Sequence, residues 1–106
     1  MKQNELFIKI GEAIDNSKLS HMFGKPCFKV GGKAFVCFYE NEMVFKLSGD
    51  HHKDALSLEG AQLFDPSGKG RAMKEWVQVP FVHNDLWSQM AKQSLEYVKT
   101  KYKIET

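Results

Sequence analysis

Apolar side chains recur along the first seventeen residues with the period of an α-helix. Leu6, Ile10 and Ile14 are spaced four residues apart, with Phe7 beside them, so that they form one apolar stripe. Charged residues occupy the opposite side of the same helical wheel. The spacing predicts an amphipathic helix over residues 2–17.

After this helix the period changes to two. Two runs rich in β-branched and aromatic residues flank Gly31-Gly32, a pair that is typical of a tight hairpin turn. A polar turn at residues 40–42 separates the second run from a third strand, predicted over residues 43–47. The pattern predicts a three-stranded antiparallel meander over residues 26–47.

The rest of the chain contains short runs of both kinds. Capping residues bracket a second helix over residues 51–59, and an apolar stripe predicts a last helix over 84–101. Between these helices, apolar runs predict two short strands over 61–64 and 76–80. Sequential strands with helices before, within and after them are typical of an α+β domain. We expect a single domain over residues 1–106, with two layers and a mainly antiparallel sheet of about five strands.

Pairing across the Gly31-Gly32 turn predicts which side chains share a face of the sheet. A two-residue turn places Phe28 opposite Phe35 and Cys27 opposite Val36, and strand alternation then gives a core face and a mixed face. The core face is expected to carry Phe28, Val30, Phe35, Cys37, Tyr39, Met43, Phe45 and Leu47. The mixed face is expected to carry Lys25, Cys27, Lys29, Ala34, Val36, Phe38, Val44 and Lys46.

The mixed face is the main candidate for an interaction surface. An apolar patch of roughly several hundred Å² on a sheet marks an interface unless a helix of the same chain covers it. The predicted interface residues are Ala34, Val36, Phe38 and Val44. Two partners are considered for it, a second copy of the chain or another protein, which we favour, and single-stranded nucleic acid stacked on Phe38.

A glycine-rich loop supplies further positive charge. Gly68-Lys69-Gly70-Arg71 is followed by Lys74, and backbone amides in such a loop can approach a phosphate, although the P-loop pattern is absent. The alternative is a plain connection in which Arg71 pairs with an acidic neighbour. The candidate contacts for phosphate or nucleic acid are Lys25, Lys29, Lys46, Lys69, Arg71 and Lys74.

Overall charge and hydropathy limit the partners. Fifteen Lys+Arg against 13 Asp+Glu give a net charge of +2, too small an excess to require nucleic acid. The longest apolar run, residues 34–39, is far shorter than the ~20 residues of a membrane span, and the N-terminal residues do not resemble a signal peptide. We therefore expect a cytoplasmic protein without membrane contact.

Residue patterns for catalysis or metal binding are weak. His51 and His52 are adjacent and lack the i, i+4 spacing of a zinc site. Cys27 lies between lysines that favour a thiolate, and the predicted register puts it on the face opposite to Cys37, which excludes a disulfide between them. We predict no catalytic residue, no metal and no cofactor, and therefore a non-enzymatic binding or regulatory module. A thiol-dependent enzyme is the last alternative.

Several segments resemble the N-terminal domain of the TfoX/Sxy family. The segments are HMFGKP at 21–26, VGGKAF at 30–35, VFKL at 44–47, LFDP at 63–66 and GRAMKEWVQVP at 70–80. The resemblance covers about residues 4–100 and implies an α+β domain related in architecture to MmcQ/YjbR-like proteins. Competence regulators in that family carry a second, C-terminal helical domain, and this chain ends where that domain would begin, so we expect a stand-alone domain. A nucleic-acid-binding accessory domain related to competence or transcription regulation is the alternative function. The resemblance implies no catalytic residues.

Overall fold

The computed structural model describes residues 1–105 and arranges three α-helices and six strands in two layers. The helices are α1 (Gln3–Glu12), α2 (Gly49–Leu56) and α3 (Asn84–Tyr102), and a 3₁₀ turn (Phe81–His83) precedes α3. The strands are β1 (Ser17–Met22), β2 (Lys25–Val30), β3 (Lys33–Tyr39), β4 (Glu42–Lys46), β5 (Gln62–Phe64) and β6 (Met73–Val79). The α+β class is confirmed, with one strand more than the sequence predicts.

The additional strand is β1, at one edge of the sheet. All strands are antiparallel to their neighbours and follow the order β1-β2-β3-β4-β6-β5. The sequence of β1, SKLSHM, has no alternation of apolar and polar residues, so its pattern does not reveal a strand. Helix α1 ends earlier than predicted because the chain turns at Asn16, with φ of 67°, and the Ser17 hydroxyl donates to the Gly11 carbonyl at 2.6 Å.

The helices cover one face of the sheet, and the main core lies between the two layers. A Cβ at Gly11 of α1 would overlap the ring of Phe28 on β2, so glycine allows the helix to rest directly on the sheet. The main core consists of Phe7, Ile10, Phe28, Val30, Phe35, Val36, Met43, Phe45, Leu47, Ala55, Val77, Val79, Trp87, Met90, Ala91 and Val98.

A β-bulge in the β2–β3 hairpin changes the predicted register. Next to the turn, Lys29 pairs with Ala34, as a two-residue turn requires. Phe28 then pairs with Val36 instead of Phe35, because Phe35 is an extra residue in β3. A shift of one residue turns every later side chain of the strand to the other face.

The four residues after the bulge are therefore reversed with respect to the prediction. Val36 is fully buried in the main core, and Phe38 stacks on Phe7 of α1 with ring centroids 5.2 Å apart. Cys37 and Tyr39 lie on the face away from the helices. The predicted assignment of Cys37 and Tyr39 to the core face, and of Val36 and Phe38 to the mixed face, is wrong.

The predicted orientation of the β4 side chains is nevertheless correct, because a difference in the length of the β3–β4 turn offsets the bulge. The β3–β4 turn has two residues, Glu40 and Asn41, both with positive φ, as in a type I′ turn, whereas the sequence predicts a turn of three. One residue fewer in the turn compensates for the extra residue in the bulge. Met43 and Phe45 thus point into the main core.

Candidate functional site

The face of the sheet that the helices leave uncovered, here called the open face, holds a second buried cluster. Tyr39 on β3 and Phe64 on β5 are three strands apart, ~14 Å in a flat sheet, yet their ring centroids are 5.2 Å apart. The sheet therefore curls around this open-face cluster. The cluster consists of Cys27, Cys37, Val44, Phe64 and Trp76, with Met22, Ala34, Tyr39 and Met73 packed against it.

The four predicted interface residues do not form an exposed apolar patch. Ala34 and Val44 belong to the open face, whereas Val36 and Phe38 face the helices. Val36 and Val44 are fully buried, and the other two are half-buried. The predicted mixed face exposing all four side chains is wrong, because the bulge divides the residues of β3 between two faces and the curled sheet encloses Val44.

Cys27 and Cys37 pair directly across β2 and β3, which corrects the prediction that they occupy opposite faces. Both are free thiols and both are fully buried. Burial raises the pKa of Cys37 to about 12, and the neighbouring Cys27 adds to this effect. Burial also raises the pKa of Cys27, against a smaller opposing effect from the charge of Lys29. Neither thiol has the lowered pKa of an activated nucleophile.

Positive charge is concentrated in the sheet rather than in the helices. The six strands carry six lysines and two glutamates, whereas the three helices carry five lysines and six acidic residues. The net charge of +2 for the whole chain therefore conceals a basic layer and a slightly acidic one. Such an asymmetry creates a local positive potential that the total charge does not reveal.

Two lysines of the open face lie directly opposite each other. Lys18 of β1 pairs with Lys29 of β2, and like charges in this arrangement destabilise a sheet. Neither forms a salt bridge among residues 1–105, where the salt bridges all involve Glu75. The pair therefore leaves two positive charges without an internal counter-charge.

A surface cavity adjoins the two opposed lysines. Lys18 and Lys29 line a space of about 320 Å³ together with the polar side chains of Asn16 and Ser20. Lys18 is absent from the predicted contacts because β1 is not recognisable in the sequence. If residues 17–22 are recognised as a strand, Lys18, Ser20 and Met22 share one face. Lys18 is then expected on the open face.

Lys25 connects the open face to the glycine-rich loop. Its ammonium group lies 5.3 Å from the centroid of the Tyr39 ring. Burial raises the pKa of the Tyr39 hydroxyl, with smaller contributions from the nearby charges of Glu40 and Asp65. Asp65 is the first residue of the loop between β5 and β6, so this loop borders the open face.

The glycine-rich loop is organised around its own carboxylate. Asp65 Oδ1 accepts hydrogen bonds from the Ser67 hydroxyl at 2.7 Å and the Gly68 amide at 3.1 Å, and Oδ2 accepts one from the Gly70 amide at 2.9 Å. These bonds, with that of Ser67 first, lower the pKa of Asp65. The amides predicted to approach a phosphate are therefore already occupied by an internal anion.

The basic side chains of this loop remain accessible. Lys69 and Arg71 of the loop and Lys74, the second residue of β6, are exposed, and none of the three forms a salt bridge within the described part of the chain. The alternative in which Arg71 pairs with an acidic neighbour is thus not observed there. Lys69 and Arg71 can contribute charge at the border of the open face, although the loop amides are engaged.

Lys46, in contrast, is engaged at the end of α3. It donates a hydrogen bond to the Tyr102 hydroxyl at 3.2 Å and lies 4.0 Å from Glu75. Glu75 also accepts hydrogen bonds from Tyr97 and, at 2.9 Å, from Lys101, and the bond from Tyr97 is the main cause of its lowered pKa. These contacts fasten α3 to β4 and β6, so Lys46 is the predicted basic contact least available to a partner.

The histidines do not assemble with other ligands. Among residues 1–105, no three His, Cys, Asp or Glu side chains are grouped as metal ligands. His52 Nε2 donates to the Lys74 carbonyl at 2.7 Å, and His83 Nε2 donates to the Glu59 carbonyl at 2.8 Å. Among residues 1–105, none of the helices combines the length and apolar character required to cross a bilayer.

Comparison with known protein families, with curated proteins and with solved structures finds no match to this chain. The open face and its border combine two opposed lysines, an accessible basic loop and two buried thiols, Cys27 and Cys37, whose pKa values are raised.

Proposed function

We propose that the chain is a non-enzymatic binding domain that contacts nucleic acid through the open face of its sheet. The observation that carries this proposal is the direct pairing of Lys18 with Lys29 without a salt-bridge partner among residues 1–105. Phosphate groups placed between them would relieve their repulsion, and lysine contacts to phosphate supply most of the affinity of non-specific nucleic-acid binding.

The border of the open face supports the same proposal. Lys25, Lys69 and Arg71 are exposed there and are free of salt bridges within residues 1–105. A flexible polyanion can contact several of these positions at once, whereas a single small anion cannot. The helix-covered side of the molecule has no comparable excess of basic residues.

Self-association is the second candidate, and it now requires a different surface. The predicted apolar patch is largely buried, so it does not support a dimer. The outer edge of β1 has no partner strand among residues 1–105, and exposed strand edges can pair with a second chain. The alternative to nucleic-acid binding is therefore a homodimer in which the β1 strands of two copies pair with each other.

The resemblance to the N-terminal domain of the TfoX/Sxy family fits a binding role without catalysis. We propose that the chain is a domain of that type, with a cytoplasmic regulatory function close to competence or transcription. The α+β architecture, with helices before, within and after the sheet, supports this assignment.

The proposal is tested by measuring the binding of labelled DNA and RNA oligonucleotides over a series of salt concentrations. Affinity is expected to fall steeply as salt increases. The double variant Lys18→Ala/Lys29→Ala is expected to reduce the slope of log K against log salt by about 1.4 to 1.8, because two phosphate contacts are lost.

The matched control is Lys9→Ala/Lys53→Ala, which removes the same charge from exposed positions on α1 and α2. It is expected to leave the salt slope unchanged. Absence of binding by the unmodified protein at low salt would refute the proposal, and equal effects of the two double variants would show that total charge, rather than the open face, determines binding.

A further inference from the structure

Phe23 occupies a turn position for which neither folding nor packing provides a reason. Phe23-Gly24 is the two-residue turn between the paired residues Met22 and Lys25. Phe23 has φ of 54°, a left-handed conformation that Asn, Asp and Gly adopt readily and that a bulky side chain disfavours. Its side chain is 65% exposed, so burial does not offset this strain. Strain of this kind is typical of functional positions.

The residues beside Phe23 belong to the basic open face. Met22 packs against the open-face cluster, and Lys25 lies over the ring of Tyr39. Lys29 follows Lys25 on the same face, about 13 Å further along β2. An exposed aromatic ring thus stands at one end of a row of lysines.

We propose that Phe23 stacks on an unpaired base of single-stranded nucleic acid whose phosphates contact the lysines of the open face. This inference rests on the proposed function and names the class of nucleic acid. An aromatic ring can stack on any base, because every base has a π face, whereas the bases of a duplex are stacked on each other. Phe38, the stacking residue predicted from the sequence, is unsuited to this role because it is stacked on Phe7.

The variant Phe23→Asn separates a binding role from a folding role. Asn-Gly is a preferred sequence for a two-residue hairpin turn with positive φ, so the variant is expected to unfold at the same temperature as the unmodified protein or higher. Its affinity for a single-stranded oligonucleotide is expected to fall about tenfold. Its affinity for a duplex of the same length is expected to change by less than about twofold, because duplex bases are not available for stacking.

Two further variants serve as controls. Phe23→Trp retains an aromatic ring and is expected to bind single strands as the unmodified protein does. Val82→Asn removes another exposed apolar side chain, 74% exposed in the 3₁₀ turn before α3, and is expected to leave binding unchanged.

The outcomes distinguish this inference from the proposed function. An unmodified protein that binds neither single strands nor duplex refutes both. A protein that binds single strands equally well with Phe23→Asn refutes only the role of Phe23. If sedimentation shows instead that Phe23→Asn dissociates a dimer while its affinity for single strands is unchanged, Phe23 is a self-contact and the stacking assignment is wrong.

Discussion

The two faces of the sheet bury large side chains in different ways. On the helix-covered face, Val36 and Phe45 lie beneath a layer of helices. On the open face, Phe64 and Trp76 are enclosed by the curl of the strands themselves, and the same face carries lysines of β1 and β2. Because curvature replaces a helical layer, this side of the sheet keeps a charged surface that a partner can reach.

The largest expected effect tests the helix-covered face. Val36→Glu places a carboxylate in the main core, where Val36 is fully buried and no cation faces it in the core cluster. We expect a loss of more than about 4 kcal/mol in the free energy of unfolding, which is most of the ~5 kcal/mol at the lower end of the stability range of native domains. The measurement is urea unfolding followed by circular dichroism.

The control for this experiment is Val82→Glu, at an exposed position, with an expected change within about 0.5 kcal/mol. The register predicted from the sequence leads to the opposite expectation for Val36→Glu, because it places Val36 on the mixed face. A folded Val36→Glu variant with an unchanged urea midpoint would therefore contradict the bulge.

The next largest effect is the loss of stability when a cavity is made in each of the two buried clusters. Phe45→Ala in the main core and Phe64→Ala in the open-face cluster each remove a fully buried ring. We expect losses of about 4 and about 3 kcal/mol, because the cost depends on how far the surroundings can collapse into the cavity. The open-face cluster lies outside the helical layer, so its surroundings can move into a cavity more easily. A larger loss for Phe64→Ala would show that this face is the more rigid one.

The difference between the faces was only partly predictable from the sequence. Strong periodicity gives α3 within one residue, and β2 is assigned to the correct faces because it precedes the bulge in the chain. The residues of β3 are apolar on both sides, so alternation does not discriminate between registers that differ by one residue. The bulge is determined by packing, since Phe35 and Val36 both reach the main core.

The candidate site was predictable to a similar extent. Lys25 and Lys29 are on the expected face, and the exposure of Lys69 and Arg71 follows from their place in a polar, glycine-rich loop. Lys18 and Phe23 do not emerge from the sequence pattern, because they belong to β1 and to the turn after it. β1 is an edge strand of mostly polar residues, and its position is determined by its pairing with β2 rather than by its own pattern.

A smaller effect depends on the buried thiols, which occur on the open face and not in the main core. Because the pKa of Cys37 is raised from its usual 9.0 to about 12, the folded state keeps the proton that the unfolded state loses. Burial of the neutral thiol therefore contributes a stability that is complete below pH 9 and is lost as pH rises towards 12. Between pH 8 and pH 10 we expect Cys37 to account for a decrease of about 1.4 kcal/mol.

Urea unfolding of Cys37→Ala at the same two pH values isolates this contribution, because all other titrating groups are shared. An identical pH dependence in both proteins would show that Cys37 is not shielded from solvent. Alkylation of either thiol at pH 7 is expected only at the rate of unfolding, since both are fully buried.

The smallest expected effect concerns the loop at the border of the open face. Asp65→Asn weakens the hydrogen bonds from Ser67, Gly68 and Gly70 and has little effect on global stability, because Asp65 lies outside both buried clusters. In the unmodified protein, the amide resonances of Gly68 and Gly70 are expected to titrate with a midpoint below the usual 3.8 of a carboxyl group, since the pKa of Asp65 is lowered. In the variant this titration should disappear.

The same variant also tests whether the loop belongs to the binding surface. Removing the Asp65 charge weakens its hydrogen bonds with two amides beside Lys69 and Arg71 and removes a negative charge there, so affinity for a single-stranded oligonucleotide is expected to rise about two- to threefold at low salt. Asp54→Asn on α2 changes the total charge equally but lies on the helix-covered side, and it is expected to leave affinity unchanged. Equal increases in both variants would mean that binding responds to total charge alone, and the functional distinction between the two faces would then fail.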